Sequence, residues 1–303
     1  MSILLSVATP YCATQVSDMQ VTAFADGQPL SQEQRKSIVY SGDNVRCLMG
    51  WTGLAIIESH NTGDWLHGQL DAIIRDDPTF PIFIETLANS ATLYFATLKV
   101  KDKRCEFNIV GWFRVPSGQY AAFSAIISNY ESHPWELSVG YGAMFRFAVR
   151  AKTRPSKHAF MFSVSGYEAA VREMPLYFRG LRALLKRRAR VDVISGACRQ
   201  IAAKIAAKQV EKKAANPKFT KTVGDSQLTV ELDISGSVNT FSSKDGIVTH
   251  GLPADIVHSI ITTNDMQVDR TVDADGTIRL HIKGWIKANK PNIVMAVPGV
   301  PGA

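Results

Sequence analysis

The sequence of 303 residues lacks an apolar run long enough to cross a membrane. A spanning helix needs about 20 apolar residues, and the run from Tyr120 to Ile127 is interrupted by Ser124. The start, Met1 to Ala8, is apolar but has no basic segment before it, and a secretory signal requires one. These absences predict a protein without membrane segments and a cytoplasmic location.

Cysteine is scarce, and no two cysteines are close in sequence. The four are Cys12, Cys47, Cys105 and Cys198, without a C-x-x-C pair. The seven histidines show no H-E-x-x-H spacing, and no glycine-rich phosphate loop is present. We therefore expect buried thiols in a reducing compartment, and neither a metal nor a cofactor.

The remaining composition is that of a globular protein, with 46% hydrophobic and 20% charged residues. The length allows two domains or one large α/β domain. No period of 20 to 50 residues repeats, which excludes solenoids and propellers.

Positive charge is concentrated in one part of the chain. The net charge is +7, and Lys and Arg greatly outnumber acidic residues between Arg179 and Lys221. Such a stretch could bind phosphates, but charge runs on helices are usually solvated. Since no helix-turn-helix pattern accompanies it, nucleic acid is a weak third hypothesis for its partner.

Apolar periodicity predicts strands, two helices, strands, two helices and strands. The opening strands are predicted to form two hairpins. The first predicted helical stretch runs from Leu54 to Ile74 with a break near residue 62, and three further helices follow it. The predicted strands are 3–8, 12–18, 37–40, 44–50, 104–114, 120–129, 135–141, 144–150, 158–164, 227–234, 237–241 and 247–250. The other predicted helices are 81–98, 167–190 and 191–213.

The economical packing of these elements is two sheets face to face with helices on both outer faces. We therefore predict an α/β (α+β) fold, a four-layer αββα sandwich over residues 1–250. Residues 251–303 are predicted to be a C-terminal extension that is partly β, with a short helix at 254–262 and a strand near 277–287.

Ser2 is the first candidate for chemistry, because small second residues generally permit removal of Met1. Removal would place a hydroxyl and a free α-amine of pKa about 7.7–8 on one residue. Such a residue can activate its own hydroxyl as a nucleophile.

The residues that follow strengthen this hypothesis. The strand Ile3 to Ala8, the turn after it, and the stretch Ser17-Asp-Met-Gln-Val-Thr22 keep the register of an "A-D-S-R-x-T" motif without a gap. In this, the chain resembles proteasome β subunits and other N-terminal nucleophile (Ntn) hydrolases of proteasome type. The resemblance implies the four-layer fold and a homo-oligomer.

The resemblance also implies the site residues. Asp18 and Lys36 match the charged pair beside the nucleophile, with Arg35 as a rival for the basic position. Gly53 matches the oxyanion glycine at a strand-to-helix junction, with Gly50 as the alternative. Ser165, in Val164-Ser-Gly166, matches an auxiliary serine near the amine.

Two departures weaken the likeness to active subunits. The nucleophile is Ser rather than Thr, and the late "D-x-x-S-G" has no counterpart at Thr220-Lys-Thr-Val-Gly224. Asp192-Val-Ile-Ser-Gly196 fits the letters but does not follow the fourth helix, where the motif belongs, so we interpret it as coincidence.

These features predict an N-terminal serine hydrolase that cleaves a peptide or another small amide with Ser2. The alternative is a catalytically inactive relative that acts in assembly or binding.

Overall fold

The computed structural model describes most of the chain between residues 2 and 250 and four strands beyond. The described residues are 2–22, 29–31, 36–57, 60–129, 144–151, 160–166, 171, 173–217, 223–236, 238–244, 247–250, 260–262, 267–272, 278–283 and 293–297. The helices are α1 (Thr62–Ile74), α2 (Phe80–Thr97), α3 (Pro175–Lys186) and α4 (Val191–Ala215). The strands are β1 (Ile3–Ala8), β2 (Cys12–Asp18), β3 (Val21–Thr22), β4 (Pro29–Ser31), β5 (Ser37–Ser41), β6 (Val45–Gly53), β7 (Ile56–Ile57), β8 (His60–Asn61), β9 (Cys105–Arg114), β10 (Tyr120–Ser128), β11 (Arg146–Ala151), β12 (Met161–Gly166), β13 (Gln227–Asp233), β14 (Val238–Lys244), β15 (Ile247–His250), β16 (Ile260–Thr262), β17 (Gln267–Val272), β18 (Ile278–Lys283) and β19 (Ile293–Val297).

The first sheet contains the start of the chain in its interior. Its strand order is β12-β1-β2-β13-β14-β15, and all its pairs are antiparallel. The predicted opening hairpin is confirmed, with Leu4 opposite Ser17 and a turn closed by the Thr9 N–H on the Cys12 carbonyl at 2.8 Å. The first residues therefore lie between β2 and β12.

The second sheet has the order β11-β10-β9-β6-β5-β16. Its pairs are antiparallel except β16 with β5, which is parallel. The predicted second hairpin is confirmed as β5 and β6, with Ser37 opposite Gly50.

The helices α1 and α2 pack on the second sheet. Each presents apolar residues at spacings of three and four, which places them on one face. Leu66 and Leu70 of α1 and Phe83 and Leu87 of α2 join one buried cluster with alternate residues of β5, β6, β9 and β10. The predicted helix at 81–98 is confirmed as α2.

The helices α3 and α4 pack on the first sheet. Phe178 and Leu181 of α3 and Ile201 of α4 share a buried cluster with Ile3 and Leu5 of β1. Within the predicted helix 167–190, α3 begins at Pro175, where proline is tolerated because its missing N–H would have no helical partner.

The facing sides of the two sheets meet in a third cluster. It joins residues of both sheets: Ala8, Ala13, Met19, Val39, Leu48, Val110, Trp112, Ala122, Met161, Leu228, Val230, Leu232 and Val238. Along β9, the side chains on this face change from the apolar Trp112 and Val110 to the polar Asn108. The space between the sheets is thus apolar at one end and polar at the other, where Ser2 lies.

The arrangement of helices and antiparallel sheets confirms the α+β class. Among the described helices, none has the length and apolarity to cross a membrane.

Two predicted helices differ from the structure. The stretch from Leu54 does not start a helix, because β7 and β8 come first and α1 begins at Thr62 with Asn61 as its N-cap. Within 254–262, the described part, Ile260–Thr262, is strand β16, held by hydrogen bonds to β5. The predicted strand 135–141 lies outside the described residues.

Part of the predicted extension belongs to the second sheet through β16. Further on, β17, β18 and β19 form a separate antiparallel sheet, and β18 falls within the strand predicted near 277–287. The boundary near residue 250 stays a prediction.

Candidate functional site

Ser2 lies immediately before β1, between the two sheets and close to the surface, with a relative exposure of 9%. Its hydroxyl Oγ accepts a hydrogen bond from the Nζ of Lys36 at 2.7 Å. A donor that carries positive charge favours the ionised form of a hydroxyl, so this contact makes Ser2 a better nucleophile.

Lys36 comes from the other sheet, one residue before β5. Its side chain is 2% exposed, and its Nζ contacts the Oδ2 of Asp18 at 3.4 Å and donates to the Gln20 carbonyl. Three oxygens thus surround the ammonium: the Ser2 hydroxyl, a carboxylate and a backbone carbonyl.

Asp18, the last residue of β2, is fully buried. Its Oδ1 accepts the N–H of Ile3 at 2.8 Å, and its Oδ2 accepts the N–H of Gly224 at 3.2 Å. The Asp18 carboxylate therefore contacts three groups: the Lys36 ammonium, the backbone N–H of Ile3 next to Ser2, and the backbone N–H of Gly224, which is 206 residues away in sequence. Such contacts satisfy a buried charge.

Burial lowers the pKa of the Lys36 ammonium below its ordinary value, because the charged form loses its hydration. The charge of Asp18 and its hydrogen bond act in the opposite direction and offset part of this effect. The result is an ammonium that releases its proton more readily than a solvated lysine.

Ser165 lies on β12 opposite Leu4, and Gly166 lies opposite Ile3. The Ser165 hydroxyl accepts a hydrogen bond from the Nδ2 of Asn108 at 2.6 Å. Since side chains alternate between the faces of a strand, Ser165 is on the same face of the sheet as Leu4 and Ser2. It is therefore a neighbour of the nucleophile on the next strand.

Asn108 connects the sheets behind Ser165. Its Oδ1 accepts the hydroxyl of Ser163 at 2.9 Å, and its backbone carbonyl accepts the Nε2 of Gln15 at 3.3 Å. Gln15 also donates to Ser6 at 3.0 Å and accepts from Ser37 at 2.5 Å. These buried contacts hold the two sheets in one register below Ser2.

Gly166 fits closely against the start of the chain. Its φ is +85°, and a Cβ there would overlap the carbonyl oxygen of Ser2 and lie 3.2 Å from the Cγ2 of Thr52. A glycine is therefore required for the backbone of Ser2 to sit where it does.

Gly53 does not occupy the junction that the sequence predicted. It is the last residue of β6, pairs with Cys105 and has a φ of +96°, while the next helix begins at Thr62. Gly53 is therefore not at a helix N-terminus, and no helix dipole supports its N–H. Gly53 stays a predicted oxyanion donor, because it follows Thr52, whose side chain lies beside Gly166 at the Ser2 carbonyl.

Gly50, the alternative, has a packing reason of its own. A Cβ there would lie 2.6 Å from the Lys36 carbonyl and 2.8 Å from the Gln15 Oε1. This glycine permits the close approach of the sheets. Arg35, the rival of Lys36, lies outside the described residues.

The two late motif segments differ in their distance from the site. Within the first turns of α4, the Ser195 hydroxyl donates to the backbone carbonyl of Asp192 at 3.2 Å. Gly224, by contrast, reaches Asp18 through its N–H. The chain thus supplies a backbone donor where the motif would have supplied side chains.

No group of three or more potential metal ligands occurs among the described residues. The arrangement instead offers a hydroxyl polarised by an ammonium, which suits acyl transfer.

Sequence reasoning brought together Ser2, Asp18 and Lys36 and missed Gly224, Asn108 and the carbonyl of Gln20. The polar residues at alternate positions of β2, β9 and β12 were a signal for the buried network. The place of the late motif pointed to the segment that ends at Gly224, but nothing in the sequence indicated that the Gly224 N–H would contact Asp18.

Comparison with known proteins adds no family. No protein-family model matches the chain. A search of curated proteins likewise finds no match.

Proposed function

We propose that this protein is an N-terminal nucleophile hydrolase that cleaves an amide bond with Ser2 after Met1 is removed. The observation that carries the proposal is the 2.7 Å contact between the Lys36 ammonium and the Ser2 hydroxyl, with Asp18 bonded to both Lys36 and Ile3. An exposed ion pair would need no such convergence on the second residue of a chain.

In the proposed reaction the Ser2 hydroxyl attacks the amide carbonyl, and its proton passes to the α-amine of Ser2. The Lys36 ammonium stabilises the developing negative charge on Oγ during attack. When the carbon–nitrogen bond breaks, the α-ammonium returns the proton to the leaving amine. Water then attacks the acyl ester, and the α-amine takes a proton from it. When the bond between the acyl carbon and Oγ breaks, the α-ammonium returns this proton to Oγ, and the acid product leaves with Ser2 and its amine restored.

The tetrahedral intermediate also needs a donor for its oxyanion. Backbone N–H groups next to Ser2 are suited to this role, and Gly53 is our candidate because Thr52, its neighbour, packs beside Gly166 at the Ser2 carbonyl. Ser165, oriented by Asn108, is the candidate to hold the amine.

The fold supports the same proposal. The helices α1 and α2 cover one sheet, α3 and α4 cover the other, and the sheets pack together. We propose that this is the four-layer αββα sandwich of Ntn type, with the nucleophile on the first strand between the sheets.

The first test is the mass of the mature N-terminus in purified protein. The proposal expects a chain that begins at Ser2 with an unmodified amine. A chain that retains Met1, or carries an acetyl group on Ser2, lacks the base and contradicts the mechanism.

The second test is labelling with a peptide epoxyketone, whose two electrophilic carbons react with a hydroxyl and an amine on the same residue. We expect the wild type to be labelled at Ser2 and Ser2→Ala to remain unlabelled. Ser117→Ala is the control, because Ser117 is an exposed serine in the turn between β9 and β10; it should label like the wild type.

One observation favours the inactive alternative: Ser2 is buried, with a relative exposure of 9%. In that case the Ser2–Lys36–Asp18 group serves to fasten the start of the chain between the sheets. The expected result is then no labelling of a chain with a free Ser2 amine, and a large loss of stability in Ser2→Ala.

A further inference from the structure

The strand β11 forms one edge of the second sheet and is exposed along its whole length. Among the strands that the structure describes, only β10 pairs with it. All six residues of β11 are exposed, whereas every residue of β12, at an edge of the first sheet, is buried or half-buried. The backbone N–H and C=O groups on the outer side of an edge strand can pair with a further strand.

The start of β11 is held firmly against the protein. Phe145, the residue before it, is buried, and its ring centroid lies 5.0 Å from that of Phe95 and 5.7 Å from that of Phe107. The Phe145 N–H donates to the hydroxyl of Thr92 on α2 at 2.9 Å. The edge is therefore a preformed surface, which lowers the entropic cost of binding a further strand.

The two faces of β11 differ in chemistry. Arg146 and Arg150 lie on one face, because side chains alternate along a strand, and both are exposed. Phe147 and Val149 lie on the other face and are 47% and 39% exposed. Exposed apolar side chains on an open edge are a liability unless a partner covers them.

The charge of this part of the chain is of one sign. Between Met144 and Lys157 the sequence has five Lys and Arg residues and no Asp or Glu. A second copy of β11 is a poor partner, because antiparallel pairing about Ala148 would set Arg146 of each copy opposite Arg150 of the other. Like charges directly opposite each other destabilise a strand pair, whereas opposite charges stabilise it. The charge therefore selects an acidic strand and rejects a copy of itself.

We propose that β11 is a docking edge for an extended acidic peptide of another protein, which adds a further strand to the second sheet. Such recognition takes its affinity from main-chain hydrogen bonds and its specificity from side chains at alternate positions. The peptide has acidic residues at alternate positions, facing Arg146 and Arg150, and apolar residues between them, which cover Phe147 and Val149. This inference is independent of the proposed catalytic function.

The test uses the full chain and the fluorescent peptide acetyl-Glu-Val-Glu-Val-Glu-Val-Glu-amide, with binding followed by anisotropy at low ionic strength. The peptide matches β11 in length, because six residues of a strand span about 20 Å. Its alternation suits either strand direction. We expect this Glu–Val peptide to bind and a Lys–Val peptide of the same design not to bind.

Charge reversal on β11 gives the sharper test. In Arg146→Glu/Arg150→Glu the Glu–Val peptide should bind about tenfold more weakly, and the Lys–Val peptide should bind instead. Since the variant gains one ligand while it loses the other, unfolding cannot imitate this result. The matched control is Arg182→Glu/Lys186→Glu, which makes the same change of net charge at exposed positions of α3, on the other sheet. It should bind both peptides like the wild type.

Methylation of the peptide backbone separates strand addition from simple charge attraction. Successive N–H groups of a strand point to opposite sides, so either the Glu N–H groups or the Val N–H groups face β11. N-methylation of one set should abolish binding, and N-methylation of the other should leave it intact. Equal binding of both methylated peptides would assign β11 to polyanions in general and overturn the proposal. Failure of the wild type to bind the Glu–Val peptide, or binding that is unchanged by charge reversal on β11, would overturn it as well.

Discussion

At the scale of single residues, the charge of Lys36 depends on Asp18 because both side chains are buried away from water. Removing one member of such a pair costs about 3–5 kcal/mol, since the other charge remains buried. We expect Lys36→Met to lower the free energy of unfolding by that amount in urea titrations. The double variant Lys36→Met/Asp18→Asn should be destabilised by about 0.5–3 kcal/mol less than the sum of the two single destabilisations. Strict additivity would show that the two groups do not interact.

The lowered pKa of Lys36 has a consequence for pH dependence. In the unfolded chain the lysine titrates near 10.4, whereas burial lowers its pKa in the folded protein. Between these two values the unfolded chain binds the extra proton, so stability rises with pH. This contribution is complete above about pH 10.4 and is lost as pH falls through the folded pKa.

The measurement is urea unfolding of the wild type and Lys36→Met from about pH 7 to 10.5. The stability of the wild type relative to the variant should increase toward the alkaline end. A difference that stays constant or shrinks would mean that the folded protein does not lower the pKa of Lys36. Other alkaline titrations, such as those of the tyrosines, occur in both proteins and cancel in the difference.

The candidate site was only partly predictable at this scale. Ser2, Asp18 and Lys36 lie within the first 36 residues, where the motif spacing gives a register that the structure reproduces as a physical contact. Gly224 could not be predicted, because its N–H reaches Asp18 only after α4 and β13 have packed against β2. Its contribution comes from the backbone, which leaves no signature in the side-chain sequence.

At the scale of elements, the end of β12 determines where Ser2, the residue before β1, can lie. Gly166→Ala combines a left-handed φ, which costs about 1–2 kcal/mol for a residue with a side chain, with an overlap on the Ser2 carbonyl. We expect a loss of stability greater than the left-handed φ alone explains, and reduced labelling of Ser2 by the epoxyketone.

Gly118→Ala is the control for this prediction. Gly118 has a similar φ of +79°, but its nearest neighbour would be 3.9 Å from a Cβ. Gly118→Ala should therefore lower the free energy of unfolding only by the ~1–2 kcal/mol of the left-handed φ, and Ser2 should be labelled as fully as in the wild type. Equal effects of the two substitutions in chemical denaturation would show that no close approach to Ser2 exists.

Elements with long, regular periodicity were predicted well, and short ones were not. The helices α2 and α4 extend over 18 and 25 residues, so their apolar faces recur often enough to exclude a strand. Leu54 and Ile57 are three residues apart, which fits a helix turn but equally fits the two-residue strand β7. The start of α1 is fixed by its N-cap, where the Gly63 N–H donates to the side-chain oxygen of Asn61. In the sequence, this cap was predicted only as a break in the helix near residue 62.

At the scale of the whole molecule, three buried clusters are linked in series through the two sheets. The outer clusters under the helices share strands with the central cluster, so neither sheet keeps its packing if the other unfolds. The apolar surface buried in the centre belongs to both sheets, and exposing it on one side exposes it on both. This arrangement predicts cooperative unfolding of the layers.

The three buried cysteines report on this cooperativity without any substitution. Cys47 and Cys105 belong to the cluster under α1 and α2, and Cys198 belongs to the cluster under α3 and α4. Burial raises the pKa of all three thiols, that of Cys198 to about 12, so none reacts as a thiolate in the folded protein.

In dilute urea, pulses of iodoacetamide followed by peptide mass analysis should therefore label all three at one common rate. Cys12, which is half-buried, should react earlier and serves as the internal reference. Labelling of Cys198 well before Cys47 would instead show that α3 and α4 separate from a sheet pair that remains intact.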